Sequence, residues 1–130
     1  MAGREELENF IDRLGEEVSS EETQSGVWVI SATEDGVPVF ISEDPPVVVF
    51  RVNIMGLPPA GEKRNNLMQR LLELNAEGLV HGSYGIEGNQ VVLSDALQLE
   101  SLDFHEFQAS FESITLALAS HMPELASFQE

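Results

Sequence analysis

The sequence predicts an α+β fold, an antiparallel sheet with helices packed on it, and three observations carry that reading. Apolar residues recur at helical spacing within residues 7–14, 67–74 and 104–118. Between those segments the spacing drops to two, in runs rich in β-branched and aromatic residues. Neighbouring runs of that kind are joined by short turns, so the strands are antiparallel and the sheet is not doubly wound. The expected order is α-β-β-β-α-β-β-α, in a single domain spanning residues 1–130.

Each element has a local reason. In residues 5–15, Leu7, Phe10, Ile11 and Leu14 stand at offsets 0, 3, 4 and 7, one stripe of an amphipathic helix, and Gly15 is placed to end it. Residues 19–26 are polar, contain two adjacent glutamates and have no apolar period, so a mobile linker is expected after helix one. Val27-Trp28-Val29-Ile30 then reads as a strand. Thr33-Glu34-Asp35-Gly36 supplies an Asp-Gly turn, and residues 37–41 return as the second strand of a hairpin. Pro38 sets the start of that strand at an edge or outside the ladder.

A turn at Glu43-Asp44-Pro45-Pro46 leads into a third strand over residues 47–55, where Phe50, Val52 and Ile54 alternate with Arg51 and Asn53. Residues 56–61, with two prolines, break the sheet. The next helix covers residues 62–77, with a wide stripe of Leu67, Met68, Leu71, Leu72 and Leu74, and Gly78 at its C-terminal cap. Residues 79–86 and 90–99 flank a Glu87-Gly88-Asn89 turn as a second hairpin, whose glycines predict bulges in its first strand. Asp103 and Glu106 fit a capping box for the last helix, along which Phe104, Phe107, Phe111, Ile114 and Leu118 repeat at 3, 4, 3 and 4. Pro123 disfavours a helical Met122, so this helix is expected to end or kink near His121.

Composition narrows the function. The chain has 130 residues, 6 Lys and Arg against 23 Asp and Glu, a net charge of −17 and no cysteine. At this length a single core buries roughly two-thirds of the surface of the unfolded chain, so neither disulfide nor metal is needed to fold it. A surface of that charge repels nucleic-acid phosphates and anionic lipid, and no apolar stretch approaches a membrane span or a signal peptide. The expectation is a cytoplasmic protein with neither nucleic acid nor membrane as partner. Ordinary small domains carry about 2 to 8 charges in magnitude, so the excess points to a basic partner or to solubility.

Chemistry is sparse. The phosphate-loop, dinucleotide, zinc-protease and serine-hydrolase motifs do not occur, so no catalytic residue and no cofactor is assigned. His105 and His121 lie 16 positions apart on one helix, roughly 24 Å at 1.5 Å per residue, too far to share an ion, and no metal site is expected. Thr33-Glu34-Asp35-Gly36 lacks the alternating ligands of a calcium loop. The acidic run at residues 16–22 reads either as a solvated linker or as a docking surface for a basic partner.

The informative signal is apolarity on both faces of the strands. Residues 27–30 and 47–50 are apolar at every position, yet helices on one side of a sheet cover one face only. Trp28, Ile30, Phe40, Val48 and Phe50 are the candidates for a peptide-binding surface. Helix two carries more apolar rows than one narrow contact requires, which makes Leu67, Met68 and Leu71 candidates for a homodimer interface.

In element order, size and acidity the chain resembles the class I type III secretion chaperones of the CesT (Tir chaperone) kind and the related YbjN-like domains. The second half carries the local likeness: Leu71-Leu72-Glu73-Leu74-Asn75 closing helix two, His81-Gly82-Ser83-Tyr84-Gly85-Ile86, Val91-Val92-Leu93 and Leu97-Gln98-Leu99 look like the YbjN-like version. These are packing segments with no catalytic residue to carry over. The resemblance implies a secretion-chaperone-like α+β fold and a small acidic homodimer that binds a segment of another protein in extended form along apolar surface, without ATP or metal. The alternative is an acidic regulator that occupies a basic partner surface by charge.

Overall fold

The computed structural model describes residues 3–15, 19–31 and 37–129, apart from the side chain of Ser19. Its elements run α1 (Arg4–Asp12), β1 (Ser19–Gln24), β2 (Val27–Ser31), β3 (Val39–Asp44), β4 (Val47–Gly56), α2 (Glu62–Glu77), β5 (Ser83–Glu87), β6 (Gln90–Gln98) and α3 (Phe104–Ala126), with a 3-10 turn over Ser127–Gln129. The six strands form one antiparallel sheet in the order β1-β2-β3-β4-β6-β5. All three helices lie on one face of it, giving two layers around a single core.

Alternation along the strands decides what that core contains. Trp28 and Ile30 on β2, Val39 and Ile41 on β3, Val48, Phe50, Val52 and Ile54 on β4, and Leu93 on β6 all turn to the helices and are buried. Phe107 of α3 packs on Phe50 with ring centroids 5.1 Å apart and on Phe10 of α1 at 5.6 Å, which ties the first and last helices to the middle of the sheet. Ser110 is fully buried on α3, and its hydroxyl donates to Asp95 of β6 at 2.6 Å, so the polar group carries its own partner inward. Asp103 caps α3 as expected, accepting from the Glu106 N–H at 2.8 Å.

Four expectations change. Residues 19–24 form an edge strand, not a linker: β1 pairs with β2 from Ser19↔Ser31 to Gln24↔Val27. Tertiary pairing here overrides a polar sequence with little strand preference, and Glu22 is held by a bidentate ion pair with Arg4 of α1 at 2.6 and 3.0 Å. Helix α3 continues through Pro123 to Ala126, because its last turns are fastened by Leu125 in the core and by Glu124, which pairs with Arg70 of α2 at 2.6 and 3.1 Å. Gly78 caps α2 with φ −104°, so it is not required for left-handed backbone. Its reason is close approach: a Cβ there would stand 3.1 Å from Leu74 Cδ2 and 3.2 Å from His121 Nε2. The one register shift beside the second hairpin lies at Asn53/Met55 of β4, while β5 pairs with β6 without interruption. The Asp-Gly turn at residues 33–36 and part of the acidic run, residues 16–18, lie outside the described residues.

Candidate functional site

Because the helices occupy one face, the opposite face of the sheet is left to solvent. The register places Val29, Phe40, Arg51 and Ser94 in one row across β2, β3, β4 and β6, and Val27, Ser42, Val49 and Ala96 in the next. Val27, Val29, Phe40, Val47 and Val49 are all half-buried, and among the described residues no helix lies on their side of the sheet. This is an apolar face on a molecule of net charge −17. Beside it the small residues Gly82, Ser83, Ser94 and Ala96, with Val49 and Asp95, leave an open hollow of about 390 Å³.

One corner of this face is already covered. Arg51 on β4 reaches Glu87 on β5 at 2.6 Å and donates to Asn53 at 3.3 Å. β6 lies between those two strands, and its residue midway between the partners of Arg51 and Glu87 is Val92. The ion pair therefore arches over Val92, across the position where Gly85 has no side chain. Val92 is accordingly buried although it stands outside the main core cluster.

The sequence-derived candidates divide by parity. Trp28, Ile30, Val48 and Phe50 come together, but in the interior beneath the helices, between 0 and 4 % exposed, where no partner can reach them. Phe40 alone of the five lies on the open face. The residues that reading missed are Val27, Val29, Val47 and Val49, and the signal was present: Arg51 and Asn53 share their parity on β4, marking that side as wet. Likewise Leu67 and Leu71 of α2 turn into the core, while Met68 is half-buried. Leu72, 69 % exposed, and Ile86 of β5, 45 % exposed, complete a groove of about 270 Å³ with Met68, Leu71, Asn75, Tyr84 and Gly85.

Tyr84 connects this groove to a second one. Its hydroxyl lies 2.8 Å from His121 Nδ1, in the buried layer between β5 and α3. Burial pushes the Tyr84 phenol up to about 12, and burial, helped by the Arg70 cation, holds His121 below the ordinary imidazole range. The hydroxyl and Nδ1 thus satisfy one another within the buried layer, with the roles of donor and acceptor set by the tautomer of the ring. His121 lines a small pocket of about 120 Å³ with Gly78, Leu79, Val80, Leu116 and Ala117. Val80 and Leu116 there are, with Leu72 and Ile86, the large apolar side chains most exposed among the described residues.

Among the described residues no group of three or more His, Asp or Glu side chains converges as a metal site would, and no helix is long and apolar enough to cross a membrane. The arrangement can offer apolar contact framed by acidic charge, which is chemistry of association.

Comparison with known proteins agrees in fold. A chain of the heterodimeric ExoU–SpcU complex from the type III secretion system of Pseudomonas aeruginosa superposes with a TM-score of 0.68 at 11% identity, covering 90% of this chain and 95% of that one. YbjN, a candidate transcription regulator from E. coli, superposes with a TM-score of 0.69 at 16% identity over 94% and 92% of the two chains. A chain of the ExsC–ExsE complex gives 0.56 at 14% identity over 96% and 97%. Among curated proteins none matches the sequence. The family model CesT_Tir_1 matches residues 2–130, nearly the whole chain, and the protein belongs to that family.

Proposed function

We propose that the protein is a non-enzymatic, chaperone-like binding domain of the cytoplasm that holds a segment of another protein against the open face of its sheet. The observation that carries this reading is the uncovered apolar surface of Val27, Val29, Phe40, Val47 and Val49, next to a hollow able to seat a side chain. Membership in a chaperone family, and similarity to chains found in two-protein complexes, support protein binding. The charge of −17 keeps such a surface dispersed in water while the apolar face stays open. A homodimer forms in this reading through Met68, Leu72 and Ile86, since those side chains, not Leu67 and Leu71, face outward.

The same charge favours a second reading, an acidic regulator that covers a basic partner. One experiment separates the two. Tagged protein is used to capture partners from its host's extract and is washed at low salt and at roughly molar salt, where the Debye length falls to about 3 Å. Apolar binding predicts a partner that survives the high-salt wash and is lost with Phe40→Asp. Release of every partner by salt, with Phe40→Asp behaving as wild type, transfers the function to the acidic surface. For the dimer, a light-scattering mass near the 14.3 kDa of one chain at micromolar concentration refutes the interface.

A further inference from the structure

We propose that the side chain of Asn75 closes the β5 edge of the sheet to any added strand. This goes beyond the binding function and does not depend on it. β5 has β6 on one side and stands at the end of the strand order. In an antiparallel ladder, residues alternate between pairs that exchange both backbone hydrogen bonds and pairs whose N–H and C=O point away from each other. Tyr84 is of the second kind: its N–H donates to Asn75 Oδ1 at 2.7 Å, and its C=O accepts from Asn75 Nδ2 at 3.1 Å. One carboxamide thus presents to Tyr84 the acceptor and the donor that the peptide groups of a neighbouring strand would present. Asn75 sits on α2 among Leu71 and Leu74, which are anchored in the core, so the amide is held in place by a rigid element.

The register from Ser83 to Glu87 has no shift, so Ile86, two residues on, also turns its N–H and C=O outward. It does so beside the groove walled by Met68 and Leu72. A strand approaching this edge meets apolar contact and two open peptide groups at Ile86, then finds its next position at Tyr84 already filled. Two hydrogen bonds do not offset the entropy of ordering a strand. With the amide removed, Tyr84 and Ile86 together offer four groups at strand spacing. The occupant that fits them is the same edge of a second copy, because two identical strands related by a two-fold axis pair antiparallel.

The test uses the full chain. Asn75→Ala is compared with wild type by light scattering over a dilution series and by residue-resolved amide exchange. When dilute, the Tyr84 amide of the variant exchanges roughly tenfold or more faster than in wild type, as loss of a backbone hydrogen bond requires. On concentration the variant's mass rises above that of wild type, and the Tyr84 and Ile86 amides regain protection together. Ile86→Pro removes an N–H that β6 does not use, so in the Asn75→Ala background it returns the mass to that of Ile86→Pro alone. Unchanged Tyr84 exchange, a wild-type mass at every concentration, or association indifferent to Ile86→Pro each overturns the proposal. Should Asn75→Ala fail to fold, wild type decides: at high dilution its Tyr84 amide exchanges at least about tenfold slower than its Ile86 amide, and equal rates overturn the proposal.

Discussion

Val48 and Val49 are adjacent, chemically identical and assigned opposite roles, which makes them the sharpest test of the architecture. Val48 is fully buried under the helices, and Val49 is half-buried on the open face. Replacing Val48 with Asp removes apolar burial worth about 1.5–3 kcal/mol and places a carboxylate among Phe50 and its neighbours, at a further cost of several kcal/mol. The sum, on the order of 5 kcal/mol or more, matches the whole stability of many domains of this size. Val49→Asp loses roughly half as much burial and keeps its charge in water, so about 1–2 kcal/mol including the poor strand preference of Asp. Trp28 is the sole tryptophan and is buried in the same core, so its fluorescence reports urea unfolding directly. Val49→Asp is expected to shift the midpoint by about 1 M or less and to abolish partner capture, whereas Val48→Asp is unfolded or nearly so without urea. A folded Val48→Asp that has lost partner binding would refute the assignment of faces and restore Val48 to the binding surface.

Three further outcomes follow from the helical layer. Tyr84→Phe deletes the hydroxyl that satisfies the buried His121 and is expected to destabilise by about 1–3 kcal/mol, measured by thermal or urea unfolding. Asp103→Ala removes the cap on the Glu106 N–H and costs about 1 kcal/mol in the same assay. His121, held below the imidazole value of 6.5 in the folded chain, binds its proton more readily when unfolded. Its contribution is therefore present above pH 6.5 and is lost as pH falls below it, so His121→Gln should flatten the fall in stability below pH 6.5 relative to wild type.

How far the fold could be read from the sequence depended on which interactions are local. Helix α2 and its boundaries, and the capped aromatic seam of α3, rest on periodicity and caps that a short window contains. β1 was hidden because its sequence, Ser-Ser-Glu-Glu-Thr-Gln, has no apolar alternation and a single β-branched residue, Thr23; it is a strand because β2 offers it an edge. The choice of face was harder. In Val27-Trp28-Val29-Ile30 both parities are apolar, so hydrophobicity alone leaves the inward side undecided. Two weaker signals point correctly: the bulkier Trp28 and Phe50 fill the interior, and Arg51 and Asn53 mark the other parity as wet. The groove at Leu72 and Ile86 depends on how α2 lies against β5, a tertiary placement that no window of sequence contains.

These features together describe a sheet that is guarded at its edges and open on its face. At one end β1 is short, polar and acidic, with Glu21 directed to solvent and Glu22 tied to Arg4; at the other, the Asn75 amide fills the place of a strand. An apolar sheet with free edges recruits other strands indiscriminately, whereas side-chain contact on its face requires shape and chemistry to match. Closing the edges while leaving Val27, Val29, Phe40, Val47 and Val49 uncovered is the combination expected of a protein whose task is to hold another chain without assembling into sheets with its own kind. The Arg51–Glu87 arch over Val92 fits the same logic, since it shields the corner of the face nearest the β5 edge and leaves the apolar surface facing β2, β3 and β4. A partner lying there meets Phe40 and Val49 first, which is why Phe40→Asp and Val49→Asp should abolish binding together, while Arg51→Ala, by opening the arch, should enlarge the apolar surface and leave binding intact or stronger in the same capture assay.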